Sequence, residues 1–371
     1  MFDELDKTYT FPTSFNEILD RIDAIDPINY GATRNHIDGS VSYLSPYISR
    51  GVISTKFVYR NLLDKGFSPG RILKFVQELA WRDYWQQVWI AKGDEINSDL
   101  KQTQEPVITQ GISRVIPKAE TGIHVIDNAI LKFYKTGYLH NHLRMYIASI
   151  ACNLGYNYWK MPAQWMYYYL LDADWASNAL SWQWVAGTNS NKKYYANQEN
   201  INTFFYSDQQ GTFLDVSYDD FNTWEVPDIL KASEKLDLKT PLPEKTSINV
   251  NPQLPSYIYN FYNLDPLWEK DTEANRILLL EPAHFEKYPV SKKSIDFILG
   301  LSQNIENVQV YVGSFKELVS DYKLKDIYYK EHPLNLDYQG TEIPRDWMFT
   351  VKGYYPSFFA YWKKCKKEIV F

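Results

Sequence analysis

The stretch LLDADWASNALSWQWVAG, residues 170–187, sets two carboxylates one residue apart, Asp172 and Asp174, then an amide at Asn178 and three indoles at Trp175, Trp182 and Trp184. Carboxylates and amides are costly to bury unless partnered, whereas an indole buries a large apolar area and brings a single N–H donor. The chain as a whole is just as aromatic: 16% Phe, Trp and Tyr, with 12 Trp and 30 Tyr. Such richness suits either stacking on a flat ligand or an aromatic core, and composition does not choose between them.

Length and composition set the outer limits. At 371 residues the chain is long enough for about two domains of ~150 residues each, and 45% hydrophobic residues provide for a large core. The start, MFDELDKTYTFPTSF, has neither a basic opening nor an apolar run, so no signal peptide is expected. No apolar stretch approaches the ~18 residues that span a bilayer. Two cysteines, Cys152 and Cys365, make neither a disulfide framework nor a four-ligand metal site. His140 and His142 are two apart and would point to different sides of a helix. The expectation is a cytoplasmic, monomeric protein without metal and without membrane association. The net charge of −6 argues against a general affinity for nucleic acid. Residues 51–200, however, carry 16 Lys+Arg against 12 Asp+Glu, while the first fifty carry 4 against 8. A mildly basic middle permits a local phosphate-binding face.

Residues 1–224 read as mainly helical. In FVQELAWRDYWQQVWI the indoles at 81, 85 and 89 recur every four residues, one face of a helix. GIHVIDNAILKFYKTG has helical apolar spacing and a C-terminal stop at Gly137. LHNHLRMYIASIACNLGY is a further helix, and MPAQWMYYYLLD puts Pro162 in a first turn. Residues 225–272 hold six prolines among polar residues and read as a linker. From 273 to 371 the period changes: RILLLEP, VQVYV and DIYYK read as strands alternating with the helices SKKSIDFILGLSQNI and SFKELVSDY, a small α/β domain. The fold class expected is a helical domain, a Pro-rich linker and a small α/β domain.

Four segments of the helical part carry chemistry. YGATRNHIDGSVSYLSPYISRG, 30–51, is a loop of small and hydroxyl residues entering a helix, either ordinary capping or a phosphate cradle. FVQELAWRDYW, 75–85, spaces Glu78, Trp81, Arg82 and Trp85 along one helix, with Glu78 and Arg82 placed for an i,i+4 ion pair. TGYLHNHLRM, 136–145, puts Asn141 and Arg144 one turn apart. The fourth is the opening stretch.

Together, in this order, the four segments resemble the flavin-binding domain of the DNA photolyase/cryptochrome family over residues 25–205. The family's loop appears as VSYLSP, its Glu-Leu-x-Trp-Arg helix as ELAWRDY, its third segment as TGYLHNHLRM and its fourth as DADWASNALSWQW. The resemblance implies FAD as cofactor, with contacts from Tyr30, Ser42, Ser45, Phe75, Arg82, Asn141, Arg144, Asp172, Asp174 and Asn178. It implies that Asp172 pairs with Arg144, that Asp174 helps hold the flavin's polar edge and that Asn178 faces the flavin N5. Trp182 matches the proximal electron donor and Trp159 the next one outward. Arg34, Glu78, Trp81, Asn141, Met145 and Trp184 match the lining of a pocket for a flipped-out pyrimidine dimer, with Glu78 as the catalytic hydrogen-bond partner of the bases. Implied with this is light-driven repair of cyclobutane dimers, single-stranded DNA included, by electron transfer from reduced flavin. The alternative is a blue-light photosensor that binds FAD without repairing DNA.

Several positions depart from the family pattern. Val41 and Phe75 replace the usual Thr and Trp, His142 stands where an Arg near DNA phosphate is usual, and Pro106 falls where the outermost Trp of the electron chain would lie. The family's α/β antenna domain normally comes first. Here residues 273–371 resemble only its second half, moved to the C-terminus. Half a sheet cannot enclose a ligand crevice, so no antenna chromophore is expected.

Overall fold

The helical periods of the sequence become helices because each has one apolar face to bury. In the computed structural model, which describes residues 9–370, the helices include α1 Leu73–Lys92, α2 His124–Thr136, α3 Asn141–Ser149, α4 Lys160–Tyr169, α5 Trp175–Ala186, α6 Lys292–Ser302, α7 Phe315–Tyr322 and α8 Phe358–Cys365. The five strands of the one large sheet are β1 Ser256–Tyr259, β2 Asn275–Leu280, β3 Gln309–Val312, β4 Ile327–Lys330 and β5 Thr341–Ile343. No described helix is long and apolar enough to cross a membrane.

The chain forms two compact units, and both are discontinuous in sequence. The first draws mainly on Asn29–Val41 and Asp94–Leu238, the second on Phe11–Ile28, Ser42–Gly93 and Lys239–Phe371. This differs from a division at residues 224 and 272: α1 belongs to the same unit as the sheet. Periodicity shows that a helix has an apolar face but not which partner covers it.

The first unit is built on α2 to α5. Gly137 ends α2 with φ +71, and a Cβ there would lie 2.6 Å from Leu171 Cγ. Only glycine meets both demands. Asp174 caps α5 by accepting a hydrogen bond from Ser177 N at 3.1 Å. A two-residue antiparallel ladder, Ile112–Ser113 with Ser233–Glu234, ties the distal part of this unit to its body.

In the second unit all five strands are parallel, in the order β3-β2-β1-β4-β5. All six residues of β2 are buried, as expected of a strand covered on both faces. One face carries Ile258, Ile277, Leu279, Tyr311, Ile327 and Tyr329, packed against Phe315 and Leu318 of α7. The half-domain read from the sequence is thus a five-stranded sheet with a point at which strand order reverses, between β1 and β4. Its central strand, SYIY, lies inside the stretch read as linker. Four residues behind Pro255 are too short a run to stand out, and proline is tolerated just ahead of a strand.

Open α/β sheets leave a crevice beyond the carboxyl ends of the strands at such a reversal. Here side chains fill it. The Arg50 guanidinium lies 3.6 Å from the centroid of Phe261 and 4.9 Å from that of Tyr262, and His332 stacks on Tyr262 at 4.3 Å. Trp89 of α1 meets Tyr262, Tyr288 and His332 edge-on. Burial and the nearby Arg50 lower the pKa of His284 to about 3, and burial also holds His332 well below the usual histidine range, so both rings are neutral. Gly51 lets the backbone come this close: at φ +64, a Cβ would lie 2.5 Å from Tyr262 O. Gly66 has φ +85 but open space around it. Gly51→Ala is therefore expected to cost more than Gly66→Ala, which bears only the ~1 kcal/mol of a left-handed alanine. Urea midpoints of the two variants measure the difference, and equal midpoints would show that the close approach to Tyr262 is not tight.

Candidate functional site

The residues singled out from the sequence divide between the two units. Tyr30, Arg34, Asn141, Arg144, Met145, Trp159, Asp172, Asp174, Asn178, Trp182 and Trp184 lie in the first, and Ser42, Ser45, Phe75, Glu78, Trp81 and Arg82 in the second.

In the first unit the expected ion pair is present. Arg144 Nη1 lies 3.1 Å from Asp172 Oδ2, and Arg144 Nε donates to Leu139 O at 2.8 Å. The Asp172 side chain is 4% exposed and that of Arg144 22%. Such a pair is stable only while both members remain, because either alone would be a charge with poor solvation. Asn178, one turn into α5, is buried and donates its amide to Ala163 O at 2.8 Å. Asp174 has a capping role, which fixes where α5 begins.

The indoles of the opening stretch separate by environment. Trp175 is a core residue, its Nε1 donating to Asn97 Oδ1 at 2.8 Å and its ring edge-on to Tyr167. Trp182 is buried, and Trp184 is 38% exposed with Tyr194 beside it. Trp159 is fully buried, with Nε1 bonded to Asp99 Oδ1 at 2.8 Å. A buried indole held by a carboxylate keeps one orientation, a useful property for a redox relay. Asn141 is exposed at the start of α3, Arg34 Nη1 donates to Gly31 O at 2.8 Å, and Tyr30 and Met145 are half-buried. His142 is buried, with Nδ1 3.1 Å from Asn35 O, and burial lowers its pKa. A neutral, enclosed imidazole does not take over the phosphate contact of an arginine. Pro106 is exposed.

In the second unit the loop serines are not caps. Leu44 occupies the N-cap position of the short helix Ser45–Ser49, and no side chain caps it. Among the described residues neither Ser42 nor Ser45 donates or accepts a side-chain hydrogen bond, which leaves both hydroxyls available to a polar ligand. Glu78 Oε1 meets Lys74 Nζ at 2.7 Å, one turn earlier, and Arg82 Nη1 donates to Ser49 Oγ at 2.7 Å. Phe75 is buried in the core.

Trp81 has a neighbour that its own segment gives no sign of. Phe358, the first residue of α8, stacks on it with centroids 3.7 Å apart and an 11° interplanar angle. Sequence reading also passed over Asp83. It is buried and accepts from Thr55 Oγ1 at 2.9 Å and from Met348 N at 3.1 Å. Burial raises its pKa to about 6, against the opposing pull of those two hydrogen bonds. Its position in ELAWRDY was the available signal, since an acid on a core helix with five aromatics needs partners.

Residues 75–250 match a family model described as the FAD binding domain of DNA photolyase. The match includes ELAWRDY, TGYLHNHLRM and DADWASNALSWQW and begins after VSYLSP. A deoxyribodipyrimidine photo-lyase of Streptomyces griseus is 32% identical over 155 residues, 42% of this chain and 34% of its own length. One from Alkalihalophilus pseudofirmus is 27% identical over 191 residues, 50% of this chain and 40% of its own. The chain therefore spans between a third and two fifths of the length of these relatives. A cryptochrome structure from Synechocystis aligns with a TM-score of 0.49 at 22% identity, over 53% of this chain and 44% of that one.

Two outcomes follow from the geometry. Asp172→Ala strands Arg144 in a largely enclosed position and is expected to cost about 3 kcal/mol, read as a lower urea midpoint. Asp172→Asn, which keeps a hydrogen-bond acceptor, should cost less. For Asp83, the folded pKa of about 6 lies above the unfolded value of ~3.9. The native chain then binds the extra proton between about pH 4 and 6, so this residue's contribution to stability falls as pH rises through that window. Relative to Asp83→Asn, the wild type should lose roughly 2–3 kcal/mol between pH 4 and 7. Parallel stability–pH curves for the two proteins would refute the assignment.

Proposed function

We propose, on the premise that residues 75–250 belong to the photolyase family of FAD-binding domains, that this chain binds FAD and repairs cyclobutane pyrimidine dimers in DNA under blue light. The observation that carries the reading is the enclosed Arg144–Asp172 pair, with the buried Asn178 on the same motif segment as Asp172. This donor and acceptor set suits the polar edge of a flavin: a fixed guanidinium with its charge balanced, and an amide whose nitrogen is oriented by Ala163. Bound FAD would supply the light-driven one-electron chemistry, and the protein would supply position and electrostatics.

The work of the chain's own residues follows from their surroundings. Arg144 and Asp172 hold one another in register for the cofactor, and Asp174 fixes the start of the helix that carries Asn178. Trp182 and Trp159 are enclosed indoles suited to passing single electrons when oxidised flavin is reduced by light. In the second unit Glu78, steadied by Lys74, is the acceptor for hydrogen bonds from lesion bases, and Trp81 is an aromatic face beside it on α1. A dimer reaches such groups by leaving the stack, which its weakened pairing makes less costly. FAD is the sole chromophore in this reading, because Arg50 and its aromatic neighbours fill the crevice where the sheet order reverses.

The buried, neutral His142 and the net charge of −6 favour a second reading, a FAD-binding photosensor without repair. A dimer-containing oligonucleotide illuminated with the purified protein, against a dark control, separates the two. Light-dependent loss of the dimer supports repair; photoreduction of the flavin with no dimer loss supports the sensor. If repair is the activity, Glu78→Ala should lower the yield per bound dimer about 10- to 100-fold, the scale of a lost charged hydrogen bond, with flavin content unchanged. Trp182→Phe should slow photoreduction of oxidised flavin and leave repair by pre-reduced protein intact. A colourless, folded protein that FAD does not reconstitute would end both readings.

A further inference from the structure

The C-terminal helix concentrates charge that the rest of the chain lacks. Residues 351–370 hold five lysines, Lys352, Lys363, Lys364, Lys366 and Lys367, against a single acid, Glu368. That acid is not available to them, since its two oxygens accept from Thr350 N at 2.8 Å and Thr350 Oγ1 at 2.6 Å. Among the described residues none of Lys363, Lys364, Lys366 and Lys367 has an ion-pair or hydrogen-bond partner, and all four are exposed.

The helix is held firmly from beneath. Phe358, Tyr361, Trp362 and Cys365 are buried at i, i+3, i+4 and i+7, a single inward stripe. Ser357 caps the first turn by accepting from Ala360 N at 3.3 Å. Phe358 lies flat on Trp81. The outward stripe therefore begins with Phe359 and continues through Lys363 to the lysines after Cys365. Phe359 is 68% exposed, with its ring edge-on to Trp81 at 6.5 Å. One or two lysines in a last turn complement a helix dipole. That does not account for four, nor for a phenylalanine left in water on a helix whose other aromatics are all buried.

We propose that the outward face of α8 is a docking surface for a DNA strand: Phe359 stacks on an unpaired base, and Lys363, Lys366 and Lys367 take the adjoining phosphates. The inference deepens the photolyase reading and rests on it. An aromatic that projects from a basic rim is the arrangement that holds single-stranded nucleic acid without regard to sequence. Its continuity with Trp81 through Phe358 places it beside the residue assigned to the lesion. A strand opened around a flipped-out dimer supplies both the unpaired base and the phosphates.

The test uses the full chain with FAD bound and fluorescein-labelled oligonucleotides, single-stranded and duplex, with and without one cyclobutane dimer, followed by anisotropy across a salt series. Phe359→Ala should weaken single-strand binding about tenfold with the salt slope unchanged. Lys363→Ala/Lys366→Ala/Lys367→Ala should lower the magnitude of the slope of log K against log salt by about 2. All four positions are exposed, so melting temperature and flavin content should match the wild type and show that the fold is intact. If both variants bind DNA with wild-type affinity and slope, the proposal is overturned while the photolyase reading stands on its repair assay. If wild-type protein with bound FAD has no affinity for any of the oligonucleotides, both fall. Vesicles of phosphatidylcholine with 30% phosphatidylserine complete the set. Loss of vesicle binding in the variants with DNA binding untouched would make this a membrane-facing patch and overturn the assignment to DNA.

Discussion

A single buried carboxylate organises the second unit. Asp83 lies on α1 with its oxygens turned to Thr55 on the helix Thr55–Asp64 and to the backbone of Met348. Through one residue, two helices and the chain leading to the C-terminal helix share a common anchor. The anchor is costly: burial favours the neutral form of an aspartate, and the hydrogen bonds from Met348 and Thr55 together with the charge of Arg345 oppose this. Arg345 stands nearby, with Nη1 bonded to Gln86 Oε1 at 2.7 Å one turn along α1. The stack of Phe358 on Trp81 and the packing of α8 on α1 depend on the C-terminal segment being set down in this register.

The same helix serves the sheet at its other end. Trp85 is buried beside Tyr84, and Trp89 reaches the ring cluster beyond the strand ends. That cluster sits where an open α/β sheet would offer a ligand its crevice. Arg50 occupies this place with its cation over an aromatic face, an arrangement that stabilises a guanidinium far from water. The flanking histidines stay neutral chiefly because burial penalises their charged forms, and the nearby cations, Arg50 among them, add to this. The sheet thus keeps the topology of a ligand-binding fold while its crevice is used for packing.

In the first unit the division of labour runs along α5 and the residues before it. Asp172 balances Arg144, Asp174 caps the helix, Asn178 presents a fixed amide, and Trp175 anchors the rear face to Asn97. Four polar or aromatic side chains within seven residues therefore do four different things. Each is tied to a separate neighbour, which gives the segment little freedom to rearrange. Such rigidity suits the proposed cofactor site, since position is what a protein contributes to such a site.

The sequence determined many of the local elements and carried the motifs of the proposed site. Helical periods placed α1 to α4, the alternating strand and helix runs placed β2 to β4 with α6 and α7, and the resemblance of four motif segments to a flavin-binding family implied the roles of Arg144, Asp172 and Asn178. These were legible because a 3.6-residue period and a motif's spacing are properties of the chain itself. Tertiary structure decided what each face meets. β1 was hidden because four residues beside a proline make no period, and it became the centre of the sheet through pairing with strands 19 and 71 residues further on. The i,i+4 rule pointed Glu78 to Arg82; packing added a contact of Glu78 with Lys74 and brought Ser49, from another helix, to Arg82. Phe358 lies 277 residues from Trp81 and shares no pattern with it. Only packing, which joins residues by volume and free surface rather than by distance along the chain, could set one ring flat upon the other.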